Sequence, residues 1–196
     1  MMERNGTDRV KVTKTKMDVR YITRVGILSA LAFLIMLVEV PILPPPFDFL
    51  KLDFSEAIAL FGGVAFGPLA AIFIELIKNL LKFMLNTQTG GIGELANFIV
   101  GVAYVVPIAL VYRKISSQKG LLLGMLVGSV SMIVIALISN YFIFLPLWGI
   151  ADAQAKMDFI KNGLLPFNAI KAVAAAIVGY IFFNAFKGIL KYLKMD

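Results

Sequence analysis

The chain has no cysteine and no histidine among its 196 residues, and only 16% of its residues are charged. Without cysteine it can form neither a disulfide framework nor a thiolate nucleophile. Without histidine it lacks the usual general base of enzymes and the commonest protein ligand for metals. A catalytic serine would have no histidine partner, and zinc would lack its preferred ligands. These absences predict a protein that is not an enzyme, with no catalytic residues, no metal site and no cofactor.

What the chain does have is apolar residues, which make up 60% of its length. Mean hydropathy is +0.88, whereas soluble domains are only about 45–50% apolar and about 25% charged. The composition therefore predicts an integral membrane protein in contact with lipid. We expect an all-α, multi-pass protein of the cell membrane. Its length suits a single membrane domain at residues 21–193, after a basic cytoplasmic tail at residues 1–20.

Proline and glycine divide the apolar sequence into six predicted transmembrane helices. The "PPP" at 44–46 cannot continue a helix, and Gly67-Pro68 separates the second helix from the third. Pro146 should end the fifth helix near Leu145, and the polar residues 151–163 should form a connection. The predicted helices are 21–40, 55–66, 68–86, 94–112, 120–145 and 164–193.

Basic residues are distributed unevenly between the two sides of such a bundle. An even number of helices puts both termini on the same side of the membrane. On that side, 13 Lys and Arg lie in the tail, in the loop between the fourth and fifth helices and at the C-terminus, whereas the other side has 3. Cytoplasmic loops are the ones enriched in Lys and Arg. Both termini are therefore predicted to be cytoplasmic. This asymmetry accounts for the net charge of +7 without a nucleic-acid partner.

Five polar residues lie toward the predicted extracellular ends of the last three helices: Glu94, Asn97, Asn140, Asn168 and Lys171. Inside a bilayer such groups face one another, a partner or a wet cavity. Because all five residues lie at a similar depth in the membrane, they predict one outward-facing binding cavity. Lys171 is the hardest of the five to explain structurally, because burial disfavours its charged form and only Asn168 is nearby in the sequence.

Structural alternatives stay open for several of these residues. Glu94 follows "GGIG" and could simply favour a helix N-terminus. Asn140 could be a hydrogen-bonding contact between helices. In the third helix, Glu75 with Lys78 or Lys82 could form an internal ion pair near the membrane interface.

Four segments carry a resemblance to a known family: "KLDFSEAIALFGGVAFGPLAAIFIELIKNLLKF", "TGGIGELANFIVG", "SNYFIFLP" and "LLPFNAIKA". In this order the chain resembles the substrate-binding S components of energy-coupling factor (ECF) transporters. The resemblance implies a six-helix protein of a prokaryotic cytoplasmic membrane with no ATPase of its own. It implies riboflavin as the transported substrate, bound from the outside. Delivery would then proceed by docking on an ECF transmembrane subunit that is shared with two ATP-binding cassette ATPases.

The resemblance also implies roles for particular residues. The five polar residues above would contact riboflavin, whose pyrimidine edge alternates acceptors with a donor that an Asn amide can complement. The dimethylbenzene end needs an apolar wall, for which the loop after the first helix offers Leu43, Pro45 and Phe47. The family's AxxxA docking motif in the first helix matches Gly26 and Ala30, with glycine departing from alanine but keeping the small size.

The alternative is a self-sufficient small secondary transporter or channel for a small polar solute. Such proteins commonly show internal repeats or a polar path across the whole membrane. The sequence shows no convincing repeat, and its polar cluster lies at one end of the helices. "TGGIGE" lacks the lysine and Ser/Thr of a P-loop, so ATP should act through a partner.

Overall fold

The computed structural model describes residues 18–193 of the chain. Nearly all of the predicted basic tail lies outside these residues, so the tail stays a prediction. The described part contains six helices in succession. They are α1 (Val19–Met36), α2 (Glu56–Phe66), α3 (Pro68–Asn86), α4 (Ile92–Lys114), α5 (Gln118–Leu147) and α6, which runs through Ala153–Phe159, Ile160–Leu164 and Leu165–Leu193.

The boundary between α2 and α3 lies at Gly67-Pro68, as the sequence predicts. Gly67 has φ = 99°, a left-handed conformation that costs little only in glycine. Pro68 then begins α3, where its missing N–H is not needed and its fixed φ suits the first turn. The chain therefore reverses direction within one residue.

The first helix ends earlier than predicted. α1 stops at Met36, and Val40 belongs instead to a short antiparallel pair, β1 (Val40–Pro41) with β2 (Lys51–Leu52). In this pair Val40 faces Leu52. The loop between α1 and α2 is thus a short hairpin across one end of the bundle. Its backbone pairing replaces the last helical turn that hydropathy alone predicted.

Two helices continue through regions where the sequence predicted breaks. α5 is π-helical at Asn140–Phe144 and continues through Pro146 to Leu147, so the predicted end near Leu145 is wrong. α6 has a π-helical segment at Ile160–Leu164, shortly before Pro166. A proline ring crowds the carbonyl four residues earlier, and the wider π turn can relieve that crowding.

The polar residues before the predicted sixth helix are also helical. Ala153–Phe159 forms the first segment of α6, so the predicted start of the sixth helix at about Leu164 is wrong. The Asp152 side chain accepts a hydrogen bond of 2.8 Å from the backbone N–H of Ala155 and so caps this segment.

Helices α1, α4, α5 and α6 are long and apolar enough to cross a membrane by length and composition. α3 carries three charged side chains, and α2 has 11 residues, or roughly 17 Å at 1.5 Å per residue. A bilayer core is about 30 Å thick. Residues 56–64 of α2 are all buried by the other helices. The all-α six-helix bundle is confirmed, whereas the cytoplasmic placement of both termini stays a prediction.

Close packing of α4 on α5 depends on small residues. At Gly128 of α5 an added Cβ would lie 2.5 Å from the backbone oxygen of Tyr104 and 2.8 Å from a side-chain atom of Ile108. Small residues let membrane helices approach in this way. The opposite side of α5 exposes Leu126 and Val130, which suits contact with lipid.

Candidate ligand-binding site

A cavity with a volume of about 210 Å³ opens at one end of the bundle. Its walls come from the hairpin loop between α1 and α2, the loop between α3 and α4, the first turns of α4, the π-helical segment of α5 and the middle of α6. Segments that are distant in sequence thus meet around one space. Most ligand pockets are concave and largely apolar with a few polar groups, and this one follows that pattern.

All five polar residues singled out in the sequence line this cavity: Glu94, Asn97, Asn140, Asn168 and Lys171. Asn140 is the first residue of the π-helical segment of α5, and Asn168 and Lys171 are one turn apart on α6. The structure therefore brings together residues from three helices. Their contact with a substrate stays a prediction.

Asn140 and Asn168 are oriented in the same manner. The Nδ2 of Asn140 donates to the backbone oxygen of Ala136 at 2.8 Å, and the Nδ2 of Asn168 donates to that of Leu164 at 2.7 Å. Each bond fixes the amide plane. Within residues 18–193, no group donates to the Oδ1 of either side chain, so both oxygens can accept from a ligand.

Lys171 is held by groups from three elements. Its Nζ donates to Oδ1 of Asn97 at 2.6 Å and lies 2.9 Å from Oε1 of Glu56 and 3.9 Å from Oδ2 of Asp53. Asn97 in turn donates from Nδ2 to Oδ1 of Asn79 at 3.1 Å. Two carboxylates therefore compensate a lysine that the sequence left without an evident partner.

Glu56 and Asp53 belong to a larger group that the sequence did not reveal. We call it the ionic cluster and define it as Asp53, Glu56, Glu75, Lys78 and Lys171. Lys78 lies 2.9 Å from Oε1 of Glu75 and 3.8 Å from Oε1 of Glu56, and it donates to Oγ of Ser55 at 2.7 Å.

Every member of the ionic cluster is buried. The predicted ion pair between Glu75 and Lys78 is present with both side chains fully buried, and its place near the membrane interface stays a prediction. In the sequence, Glu56 can be recognised only as an acidic residue at the start of an apolar helix. Its partner Lys171 lies far along the chain and could not be identified from spacing.

Glu94 has both of the positions predicted for it, at a helix N-terminus and at the wall of a cavity. It lies in the first turn of α4, where a carboxylate suits the helix dipole, and it also lines the cavity. Its Oε2 accepts a hydrogen bond of 2.7 Å from Oγ1 of Thr89, and the same Thr89 oxygen accepts from the backbone N–H of Gly93 at 3.0 Å. Thr89 rather than Glu94 therefore satisfies a free N–H of this helix end.

A second set of charges ties the hairpin loop to α3 beside the cavity. Glu39 forms ion pairs with Lys82 and, at 3.2 Å, with Lys51. Lys51 also donates to the side chain of Gln88 at 2.5 Å. All four residues line the cavity, so its wall on this side is charged and internally paired.

The apolar wall differs from the one predicted. Leu43, Pro45 and Phe47 are not among the residues that line the cavity, and Phe47 packs against Phe159 with ring centroids 4.9 Å apart. The same loop instead contributes Phe49, whose ring meets that of Trp148 edge to face at 4.6 Å. Substrate contact by the three predicted loop residues stays a prediction.

Gly26 and Ala30 both lie on the exposed side of α1. A Cβ added at Gly26 would have no atom of the described residues within 4 Å other than those of the surrounding helical turns. The opposite side of the helix packs into the bundle through Tyr21, Val25 and Ser29. The predicted docking pair is therefore accessible to another membrane protein, and docking itself stays a prediction.

Amide oxygens, an ammonium, a carboxylate and aromatic rings can together bind a flat ligand that has an apolar end and a hydrogen-bonding edge. Within residues 18–193, no group of three or more acidic residues is placed to hold a metal ion. Fold and cavity together define a membrane-embedded protein that binds a small molecule. More particularly, a family model described as "ECF transporter, substrate-specific component" matches residues 20–193, and the chain belongs to this family.

Similar proteins cover almost the whole chain. "Riboflavin transporter FmnP" of Bacillus subtilis is 34% identical over 87% of this chain and 94% of its own length. "Riboflavin transporter RibU" of Staphylococcus aureus is 33% identical over 95% of this chain and 98% of its own. A solved S component of a bacterial ECF transporter superposes with a TM-score of 0.76 at 30% identity, covering 88% of this chain and 98% of that one.

These matches confirm the family predicted from the four sequence segments. They also confirm that the chain is a multi-pass membrane protein of the transporter class and not an enzyme, because the relatives are transporters by name.

Proposed function

We propose that this chain is the S component of an ECF-type vitamin transporter. It binds riboflavin from the outside and delivers it through a shared ATP-driven module. Riboflavin is the transported substrate and not a cofactor. The observation that carries this proposal is the near full-length similarity to riboflavin transporters of two bacteria, together with a cavity that all five predicted polar residues line.

The polar side of the cavity suits the pyrimidine edge of a flavin. That edge carries carbonyl oxygens on either side of an N–H. The Oδ1 atoms of Asn140 and Asn168 accept no hydrogen bond from the described residues, and each Nδ2 keeps one N–H beyond the one that fixes it. Either amide can therefore accept from the flavin N–H and donate to a neighbouring carbonyl.

The other parts of riboflavin have suitable partners in the same cavity. Glu94 can accept from ribityl hydroxyls. Phe49 and Trp148 form an aromatic corner, and Phe144 and Phe167 also line the space. Aromatic rings pack well on a flat heterocycle and exclude water from its apolar end. Leu43, Pro45 and Phe47, from the same loop as Phe49, are kept as candidate contacts with the dimethylbenzene end.

The proposal includes partners and orientation. As a family member the chain works with an ECF module. We propose that this module consists of one transmembrane subunit and two ATP-binding cassette ATPases, and that it docks on the exposed side of α1 at Gly26 and Ala30. Residues 21–193 then form one membrane domain in lipid, with the basic tail 1–20 and both termini in the cytoplasm.

A fluorescence titration tests the proposed substrate. Riboflavin fluorescence should be quenched on addition of the purified full-length chain and saturate at one flavin per chain. Proteoliposomes with this chain alone should take up no riboflavin, and those that also contain the ECF module should do so with ATP. Absence of quenching would refute riboflavin binding, and uptake by the chain alone would favour a self-sufficient transporter.

A further inference from the structure

Glu56 occupies an unusual position beneath the proposed riboflavin cavity. It is the first residue of α2, its side chain is fully buried, and its Oε1 lies 2.9 Å from Lys171 and 3.8 Å from Lys78. It does not line the cavity itself. A buried carboxylate is strongly disfavoured unless it is paired, so Glu56 and the two lysines depend on one another.

Lys171 has three N–H groups, and their directions determine what a ligand can meet. One donates to Asn97 at 2.6 Å, and the ammonium also forms an ion pair with Oε1 of Glu56 at 2.9 Å that does not have hydrogen-bond geometry. Asp53 at 3.9 Å is too far away to accept, so the ammonium keeps N–H groups that no described residue accepts. The hydrogen bond to Asn97 and the ion pair with Glu56 together hold the ammonium beside the cavity.

We propose that Glu56 is a positioning residue for riboflavin binding. It holds the Lys171 ammonium in place by their ion pair, so that an N–H that no described residue accepts is available to the ligand and the Asn97 amide keeps one orientation. This inference rests on the proposed function and adds to it a residue that acts through Lys171 without touching the substrate. Removing the Glu56 charge should leave Lys171 free to turn toward Asp53, which would disturb Asn97 as well.

Glu75 provides a matched comparison within the same ionic cluster. It is as fully buried as Glu56 and pairs with Lys78 at 2.9 Å, but it forms no ion pair with Lys171 and does not line the cavity. Its Oε2 accepts a long hydrogen bond of 3.5 Å from Nδ2 of Asn79, and glutamine at this position keeps an oxygen that can accept it. If burial of a charged pair were all that mattered, Glu56→Gln and Glu75→Gln would have the same consequences. If Glu56 acts through Lys171, only Glu56→Gln should change the affinity strongly.

The test combines riboflavin titration with thermal unfolding of the purified full-length protein. The variants are Glu56→Gln, Glu75→Gln, Lys171→Met and the double variant Glu56→Gln/Lys171→Met. Glu56→Gln should raise Kd about tenfold or more, whereas Glu75→Gln should change it by less than about threefold, although both lower the melting temperature. In the Lys171→Met background, Glu56→Gln should change Kd little, because the group that it positions is gone.

Equal effects of the two glutamine substitutions on Kd, or additive effects in the double variant, would overturn the positioning role. Glu56→Asp keeps the charge and should bind riboflavin more tightly than Glu56→Gln. If Glu56→Gln does not fold, Glu56→Asp and Glu75→Asp replace the pair, and a rise in Kd confined to Glu56→Asp supports the proposal. A wild-type chain that binds no riboflavin would refute the proposed function and this inference with it. If the wild-type chain binds riboflavin normally and, of the single variants, only Lys171→Met weakens binding, the inference about Glu56 is refuted while the proposed function stands.

Discussion

Lys171 of α6 donates a hydrogen bond of 2.6 Å to the amide oxygen of Asn97 on α4. This contact joins two helices at the floor of the cavity and fixes the direction of both side chains. An amide oxygen in a membrane interior that accepts from an ammonium is strongly oriented, because charge-assisted bonds are roughly twice as strong as neutral ones. The polar side of the cavity is therefore preorganised before any ligand arrives.

Asn168 gives the first prediction. Asn168→Ala should raise the Kd for riboflavin about tenfold, since it removes both an acceptor and a donor facing the flavin edge. Fluorescence titration measures the effect. Asn184→Ala is the matched control, because Asn184 lies on the same helix and makes the same local bond, at 2.9 Å to the backbone oxygen of Tyr180, but does not line the cavity. Equal losses in both variants would place Asn168 outside the binding site.

Lys171 gives a prediction about stability. Lys171→Met should lower the free energy of unfolding by about 3–5 kcal/mol, because it leaves Glu56 with only the more distant Lys78 as a compensating charge. Adding Glu56→Gln should recover part of that loss by removing the unpaired carboxylate. Unfolding in detergent, followed by circular dichroism, measures both. A double variant less stable than Lys171→Met would contradict the pairing of Lys171 with Glu56.

The exposed side of α1 gives a prediction that separates binding from transport. Gly26→Trp should leave riboflavin binding unchanged, because the position is exposed and an added Cβ would have no described atom outside the surrounding helical turns within 4 Å. It should abolish ATP-driven uptake in proteoliposomes by preventing close approach of the ECF transmembrane subunit. Val130→Trp, on an exposed position of α5, is the control and should preserve uptake. Normal uptake by Gly26→Trp would place the docking surface elsewhere.

Packing between α4 and α5 can be tested independently of the ligand. Gly128→Ala should destabilise the protein by about 1–3 kcal/mol, since the new Cβ would press on the backbone of Tyr104. Gly188→Ala in α6 has open space and should be neutral or stabilising by up to about 1 kcal/mol. Melting temperatures in detergent compare the two. A Gly128→Ala protein as stable as the wild type would show that the helices are not in close contact there.

Sequence patterns were sufficient to predict the bundle and the five polar residues that α4, α5 and α6 contribute to the cavity wall. Long apolar stretches separated by Gly67-Pro68 predicted the helices, because hydropathy and proline geometry are local properties. Asn140 and Asn168 could be assigned to one cavity because polar groups at a similar depth in the bilayer must face one another, a partner or a wet cavity.

What the sequence could not supply was long-range pairing. Glu56 appears in the sequence as an acid at a helix start, and only the fold brings it to Lys171. The continuation of α5 past Pro146 depends on a π-helical turn, which residue propensities do not predict. Phe49 rather than Phe47 lines the cavity because the hairpin sets the direction of that loop. Each of these features depends on contacts between segments that are distant in the chain.

A structure of the full-length protein with riboflavin bound would show directly whether the cavity is the binding site. We expect the ring system to lie between α4, α5 and α6, with its pyrimidine edge within hydrogen-bonding distance of Asn140 and Asn168 and its apolar end against Phe49. Riboflavin bound at another surface, or in the cavity with both asparagine side chains turned away from it, would refute the proposed site.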